Sequence, residues 1–339
     1  QADPPPDRTR RSPTRSVPED APPAGDTRDS AAIGAVRVPI PGSTVAVGPV
    51  GYLADERRRL DGLTWEHFDV TRCSATVGAE LRGIDLRDDL PDGAIAEIAR
   101  ALADYKVIFF RDQPLTTEQH VAFGRRFGDL EVHPFLPANA EQPHVVRFAK
   151  SADVGGYENG WHHDVTWRET PSRGAILHAI EVPPSGGDTV FSDAYAALDG
   201  LDDATRARID DLVAVHDFAQ VFGHGMSDDE RATMREKYPL VEHPVVATHD
   251  VTGRDHLYVN RFFVNHIKDL DRDESVELID LLCRQFELLE HQVRFRWEPD
   301  SIAFWDNRAV QHYACSDYWP DVRVMERASI VGGRPVRRR

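Results

Sequence analysis

From Phe68 onward the chain is written in short apolar stretches separated by turns, and this rhythm restricts its fold more than any other feature. Such stretches lie near 145–148, 161–167, 174–181, 188–192, 241–248, 256–259, 293–297, 301–305 and 323–331. Runs of this length read as strands, and strands divided mainly by turns predict a sandwich or jelly roll rather than a wound parallel sheet. Val107-Ile108-Phe109-Phe110 reads as a buried strand, ended by the turn Arg111-Asp112-Gln113-Pro114. Four helices are predicted between the strands. One covers 93–105, with Asp92 as its cap and Ile95, Ile98 and Leu102 on its apolar side. A second follows Thr116 and Gln119, which form a capping-box signature. The others fall near 202–214 and 274–290, the latter carrying Leu278, Ile279, Leu282, Phe286 and Leu289. Neither a G-x-G-x-x-G nor a P-loop sequence occurs, so a nucleotide fold has no support.

Residues 1–30 contain no Leu, Ile, Phe, Tyr or Trp, and they are rich in proline. A segment of this kind cannot bury enough apolar surface to offset its ordering entropy, so 1–45 reads as a flexible tail. Residues 46–65 form a transition segment of open structure, and 66–339 form the folded domain. The sequence begins at Gln1 rather than Met, which reads as a processed or truncated form, and this end lacks the apolar stretch of a secretory signal. The formal net charge of −17 excludes the basic balance that a nucleic-acid backbone selects. No apolar run approaches the ~18–20 residues of a membrane helix. Three widely spaced cysteines, Cys73, Cys283 and Cys315, do not suit a disulfide framework, so a cytoplasmic protein is expected. A homo-oligomer is compatible with the sequence.

The chemistry concentrates in Trp161-His162-His163-Asp164-Val165-Thr166-Trp167. On a strand, side chains alternate with period two, so His162 and Asp164 would share one face and could chelate one ion. A hydrogen-bonded His–Asp pair beside a core strand is the structural alternative. His312, on a strand returning after the turn Asp306-Asn307-Arg308, supplies a distant third ligand. Two histidines and a carboxylate suit the facial triad of non-haem Fe(II) oxygenases, which leaves open positions. A catalytic zinc site uses the same ligand types, but the H-E-x-x-H helix that usually carries it is missing. Arg323 and Arg327 would share one face of the last strand with Met325 and Ser329, and two inward guanidinium groups require anionic partners.

These residues carry a family resemblance. The W-H-x-D motif, Gly186-Gly187-Asp188-Thr189, Trp305 to Tyr313 and the Arg323/Arg327 pair resemble the taurine dioxygenase family of Fe(II)/2-oxoglutarate-dependent dioxygenases. The likeness extends over roughly 68–335 and includes Val77 to Leu86 and Phe110-Arg111-Asp112-Gln113. It implies a double-stranded β-helix (jelly roll), mainly β with flanking helices, and an oxidoreductase that uses iron, 2-oxoglutarate and dioxygen. His162, Asp164 and His312 would hold the metal, with His163 facing away. Thr189 and Arg323 would bind 2-oxoglutarate. Arg327, His133 and the backbone of Val165 would meet the anionic group of a small organic substrate, and Phe263 would line its pocket. The chain departs from taurine dioxygenase at Leu136, where that enzyme has tyrosine, and at Glu158, where it has asparagine; both positions help to enclose the substrate.

The implied reaction is hydroxylation of a sulfonate, sulfate ester or carboxylate, with release of succinate and carbon dioxide. Asp164 argues against a halogenase, which would need that ligand position free. A biosynthetic hydroxylase or desaturase of an amino-acid-like metabolite is the alternative, with Glu158 receiving the amine. A non-catalytic metal-binding jelly roll is the rival from another class, and it would have no use for Thr189 and Arg323.

Overall fold

The computed structural model describes residues 38–39, 46–139, 141–156 and 158–339. The chain divides into two units, Gln1–Gly51 and Tyr52–Arg339. In the first, Val38–Pro39 pairs antiparallel with Ala46–Val47; the rest of the 1–45 tail expectation lies outside the described residues. The larger unit begins earlier than the sequence pattern suggests. Helix α1 (Ala54–Asp61) lies in the stretch whose structure the sequence left open, and buries Leu60. Its Glu56 meets the fully buried Lys106 ammonium at 2.7 Å.

Within that unit, a seven-stranded sheet contains β1 (Asp69–Arg72), β2 (Ala79–Arg82), β3 (Val107–Phe110), β4 (Val145–Lys150) and β5 (Gly174–Glu181). A three-stranded sheet is built from β6 (Thr189–Asp193), β7 (Gln292–Phe295) and β9 (Val310–Ala314). The strands β8 (Ile302–Asp306) and β10 (Arg323–Ile330) return to the large sheet. The large sheet runs β1-β2-β3-β8-β5-β10-β4, and the small one runs β7-β6-β9. Only the β2–β3 pair is parallel.

Burial on both sides explains why the central strands read as unbroken apolar runs. Val107 and Phe109 of β3, with Ala303 and Trp305 of β8, face the small sheet, where Phe191, Val293 and Phe295 complete the core. Ile108, Phe110, Ile302 and Phe304 point the other way, onto helices. Helix α2 (Asp92–Tyr105) supplies Ile95, Ile98, Ala101 and Leu102 at helical spacing. Helix α3 (Thr117–Arg125) supplies Val121 and Phe123, and starts at the Thr116/Gln119 capping box. Two sheets facing one another across this core form the jelly roll.

Several local expectations are corrected. Pro91, not Asp92, caps α2, and Asp92 is its first residue. The 202–214 helix stops at Ile209, and Val213–His216 pairs as a strand instead, because its neighbours at 241–244 and 264–267 complete a small sheet. The 241–248 stretch is two strands, and the 274–290 helix ends at Cys283 before two 3-10 turns. The 161–167 stretch is not a strand: it makes one bridge, His162 to His312, and then turns. No helix among the described residues is long and apolar enough to cross a membrane.

Candidate active site

The turn after His162 is made possible by a side chain that stands in for a neighbouring strand. Asn307 Oδ1 accepts from the Asp164 backbone N–H at 2.7 Å, and its Nδ2 donates to the carbonyls of Asp164 and Ser172 at 3.0 and 2.9 Å. Buried backbone groups must find partners, and one amide satisfies three of them here. Released from a ladder, the chain takes a positive φ of 49° at Val165. Alternation therefore breaks at that residue. Asp164 and Val165 line one cavity, while Thr166 turns away to meet His216 and Asn260. His163 is wholly buried against Tyr258 and Phe286, on the side away from the cavity.

On the cavity side, His162, Asp164 and His312 offer ligand atoms that all lie within 4.8 Å of one another. The bridge between the two histidine backbones, with N–H···O distances of 3.2 and 2.9 Å, sets their spacing. His162 Nδ1–H donates to the Gly160 carbonyl at 2.8 Å, which leaves Nε2 with a free lone pair. A Cβ at Gly160 would fall 2.0 Å from the Phe262 ring, so only glycine permits this approach. Phe262 in turn stacks on His162, with centroids 4.8 Å apart. Burial pushes the His312 imidazole down to about 3 and lowers His162 as well, so both rings are neutral. Burial would raise the Asp164 carboxyl, but the Arg327 guanidinium and the surrounding His312, His162 and His133 together outweigh it and hold the group well below the usual carboxylate range. Two neutral imidazoles and one carboxylate make a donor set that fits a divalent transition metal.

Arg323 and Arg327 point into the same cavity from β10. They differ in what they meet. One Arg327 nitrogen donates to both Asp164 oxygens, at 2.9 and 3.0 Å. Arg327 is thus partly engaged by the carboxylate of the candidate metal triad, a contact the sequence did not indicate. Arg323 is buried, yet its Nε and Nη2 have no hydrogen-bond partner among the described residues. Trp297 and Tyr318 flank its guanidinium, at 6.0 and 5.8 Å. Gly187, at φ +70°, packs against its stem, where a Cβ would sit 3.2 Å from Cδ. Thr189 Oγ1, on β6, accepts from Trp297 Nε1 at 3.0 Å. A buried guanidinium with idle donors beside a hydroxyl fits a carboxylate ligand.

Across the cavity, His133 Nδ1 accepts from the backbone N–H groups of Phe135 and Leu136 at 3.2 and 3.1 Å. Burial, aided by Arg327, lowers its pKa to about 3, so the neutral ring carries its proton on Nε2 as a donor. Leu136, Phe263 and Val165 line the same space. Glu158 lines it too, but Lys150 Nζ stands 3.0 Å from its Oε1. The negative charge expected of Glu158 is therefore compensated by the protein, and its availability to a substrate amine is corrected accordingly.

All the residues named from sequence converge on this one cavity. Others there were missed. Trp305, which packs 4.9 Å from the His312 ring, and Asn307 sit inside the quoted C-terminal motif but were given no role. Phe262 adjoins Phe263. Lys150, Phe222 and Trp297 carried no local signal at all.

Comparison with known proteins agrees with this geometry. Residues 68–329 match the taurine catabolism dioxygenase TauD, TfdA family. An alpha-ketoglutarate-dependent sulfate ester dioxygenase of Pseudomonas putida is 34% identical over 79% of this chain and 91% of its own. An (S)-phenoxypropionate/alpha-ketoglutarate-dioxygenase of Sphingobium herbicidovorans is 31% identical over 78% of this chain and 95% of its own. The crystal structure of a taurine dioxygenase from Burkholderia xenovorans superposes with a TM-score of 0.69 at 36% identity, covering 80% of this chain and 93% of that one. The chain belongs to the TauD/TfdA family of dioxygenases.

Proposed function

We propose that this protein is an Fe(II)- and 2-oxoglutarate-dependent dioxygenase that hydroxylates a small organic anion: a sulfonate, a sulfate ester or a carboxylate. The observation that carries the reading is the buried Arg323 guanidinium, with idle donors in the cavity that also holds the His162, Asp164 and His312 ligand atoms. A structural metal site would not need it. Bound iron with 2-oxoglutarate supplies the oxidation of an unactivated C–H bond by dioxygen, with release of succinate and carbon dioxide.

The chain's own residues do the rest. His162, Asp164 and His312 hold the metal, and Asn307 fixes the backbone of Asp164. Arg323 and Thr189 bind the far carboxylate of 2-oxoglutarate, and Trp297 keeps the Thr189 hydroxyl in place. His133 donates from Nε2 to the substrate's anionic group, and the Arg327 nitrogens not turned to Asp164 join it. Phe222, Phe262, Phe263 and Leu136 pack on the organic body and keep water out. Hydroxylation at a carbon bearing oxygen or sulfur gives a product that collapses, breaking the C–O or C–S bond. Cys73, Cys283 and Cys315 are all free, which supports a cytoplasmic setting.

The test is substrate-dependent succinate release across sulfonates, sulfate esters, aryloxy acids and amino acids. Release with an anion of the first three kinds is the expected result. Release with amino acids alone would transfer the reading to the biosynthetic alternative, and none with any anion would refute it.

A further inference from the structure

Lys150 is the last residue of β4, pairs in register with Arg323 and is 7% exposed. Its ammonium meets Glu158 on the cavity wall at 3.0 Å. Neither residue belongs to the candidate metal triad. We infer that the Lys150–Glu158 pair is a specificity device, which makes the cavity complementary to a singly charged anion and excludes substrates that carry an ammonium group. This rests on the proposed reaction and concerns which anion the same site accepts.

Charge balance is the first argument. The cavity is lined by three cations, Lys150, Arg323 and Arg327, against two carboxylates, Asp164 and Glu158. His162 and His312 can hold a metal only as neutral imidazoles, and His133, whose Nδ1 accepts two backbone N–H groups, is neutral as well. One positive charge is left. A divalent metal and dianionic 2-oxoglutarate cancel one another, so the loaded site keeps that single charge. A monoanion brings it to zero, whereas a zwitterion leaves it unbalanced and a dianion overshoots. Uncompensated charge in a buried site is expensive, so the monoanion is favoured.

The second argument concerns the amine. Leu136, Phe222, Phe262 and Phe263 offer an ammonium group no carboxylate or carbonyl side chain to pair with. Among the described residues of the wall, Glu158 is the only carboxylate besides Asp164, and Lys150 already neutralises it. A substrate ammonium would have to displace the buried lysine from a carboxylate that is itself partly exposed. Breaking such a pair costs more than a surface contact returns.

The experiment is calorimetric titration of the anaerobic enzyme, loaded with Fe(II) and 2-oxoglutarate, with alkanesulfonates of two to six carbons. Each is compared with its terminal amino counterpart, beginning with ethanesulfonate and taurine. The wild type should prefer the amine-free member by tenfold or more. Lys150→Met uncovers Glu158 and should move that ratio at least tenfold toward the aminosulfonate; adding Glu158→Gln should return it. Glu158→Gln alone removes one negative charge from the wall and should tighten ethane-1,2-disulfonate about tenfold, a readout that stands even where Lys150→Met fails to fold. An unchanged ratio in Lys150→Met, or equal weakening of both probes, would show a merely structural pair and overturn the inference. So would an unmoved disulfonate affinity in Glu158→Gln. Wild-type enzyme that takes up 2-oxoglutarate but neither sulfonate would overturn the monoanion assignment alone, whereas failure to take up 2-oxoglutarate would sink the proposed reaction itself.

Discussion

The two ends of the cavity are built in different ways. At the end formed by the candidate metal triad and Arg323, Thr189, His312 and Arg323 stand on ladder-paired strands of the two facing sheets. At the opposite end, His133, Leu136, Val165, Phe222 and Phe263 stand on loops or short helical turns, held by an aromatic cluster that includes Phe135 and Trp167. Sheet ladders fix side-chain positions closely, while loops tolerate replacement. The comparison teaches where common chemistry and private specificity belong: the first end suits a step shared by many enzymes, and the second suits a choice among substrates. Asp164 is the exception, a proposed ligand on a turn, and Asn307 makes up for the ladder it lacks.

The contrast can be broken most sharply at the ligands. Replacing His162, Asp164 or His312 with alanine should abolish turnover and metal uptake. His163→Ala, on the far side of the same segment, should keep the metal. Metal analysis of the purified variants decides this, and loss of the ion in His163→Ala would mean that the two faces of the segment are not separate.

Asn307→Ala comes next. It strands the Asp164 N–H and two carbonyls in a buried place, and each unsatisfied group costs roughly 1–3 kcal/mol. A fall of at least about 3 kcal/mol in unfolding free energy, accompanied by weaker iron binding, is the expected outcome. Stability lost with iron affinity intact would show that the turn survives without its clip.

The paired arginines separate the two ends within one strand. Arg323→Lys should raise the KM for 2-oxoglutarate, because lysine cannot reproduce the fork of donors, and should leave substrate affinity nearly unchanged. Arg327→Met should weaken substrate binding about ten- to a hundred-fold, on the scale of a charge-assisted hydrogen bond, where ~1.4 kcal/mol is tenfold. Since the same guanidinium holds Asp164, a smaller loss of iron affinity should accompany it. Equal effects of both variants on 2-oxoglutarate would erase the distinction between the arginines.

The smallest effect belongs to the loop wall. Leu136→Ala should alter the ranking of long and short substrates by a few-fold, with the KM for 2-oxoglutarate unchanged. Steady-state kinetics on two chain lengths measures it. A shift in the 2-oxoglutarate KM would mean that the two ends are mechanically coupled.

Periodicity and residue type, which are local properties, carried much of the site. The alternation of β10 put Arg323, Met325 and Arg327 on the inner face, and the structure places both arginines in the cavity. Runs such as Val107 to Phe110 announced strands covered on both sides, and hence a layered β fold. The same reasoning failed at 161–167, where seven alternating residues look like a strand but, among the described residues, have no partner strand beyond His162. Contacts between residues far apart in sequence were invisible for a related reason. Nothing near Thr189 shows that Trp297 will hold its hydroxyl, nothing near Glu158 that Lys150 will neutralise it, and nothing near Asp164 that Asn307 and Arg327 will reach it. The sequence by itself determined the strand rhythm, the ligand types and the inward arginines, because each follows from the backbone repeat of a single element. Which charges are spent on one another, and which remain for a ligand, was decided only by the tertiary structure, because sheet order selects the neighbours and burial makes their pairing obligatory.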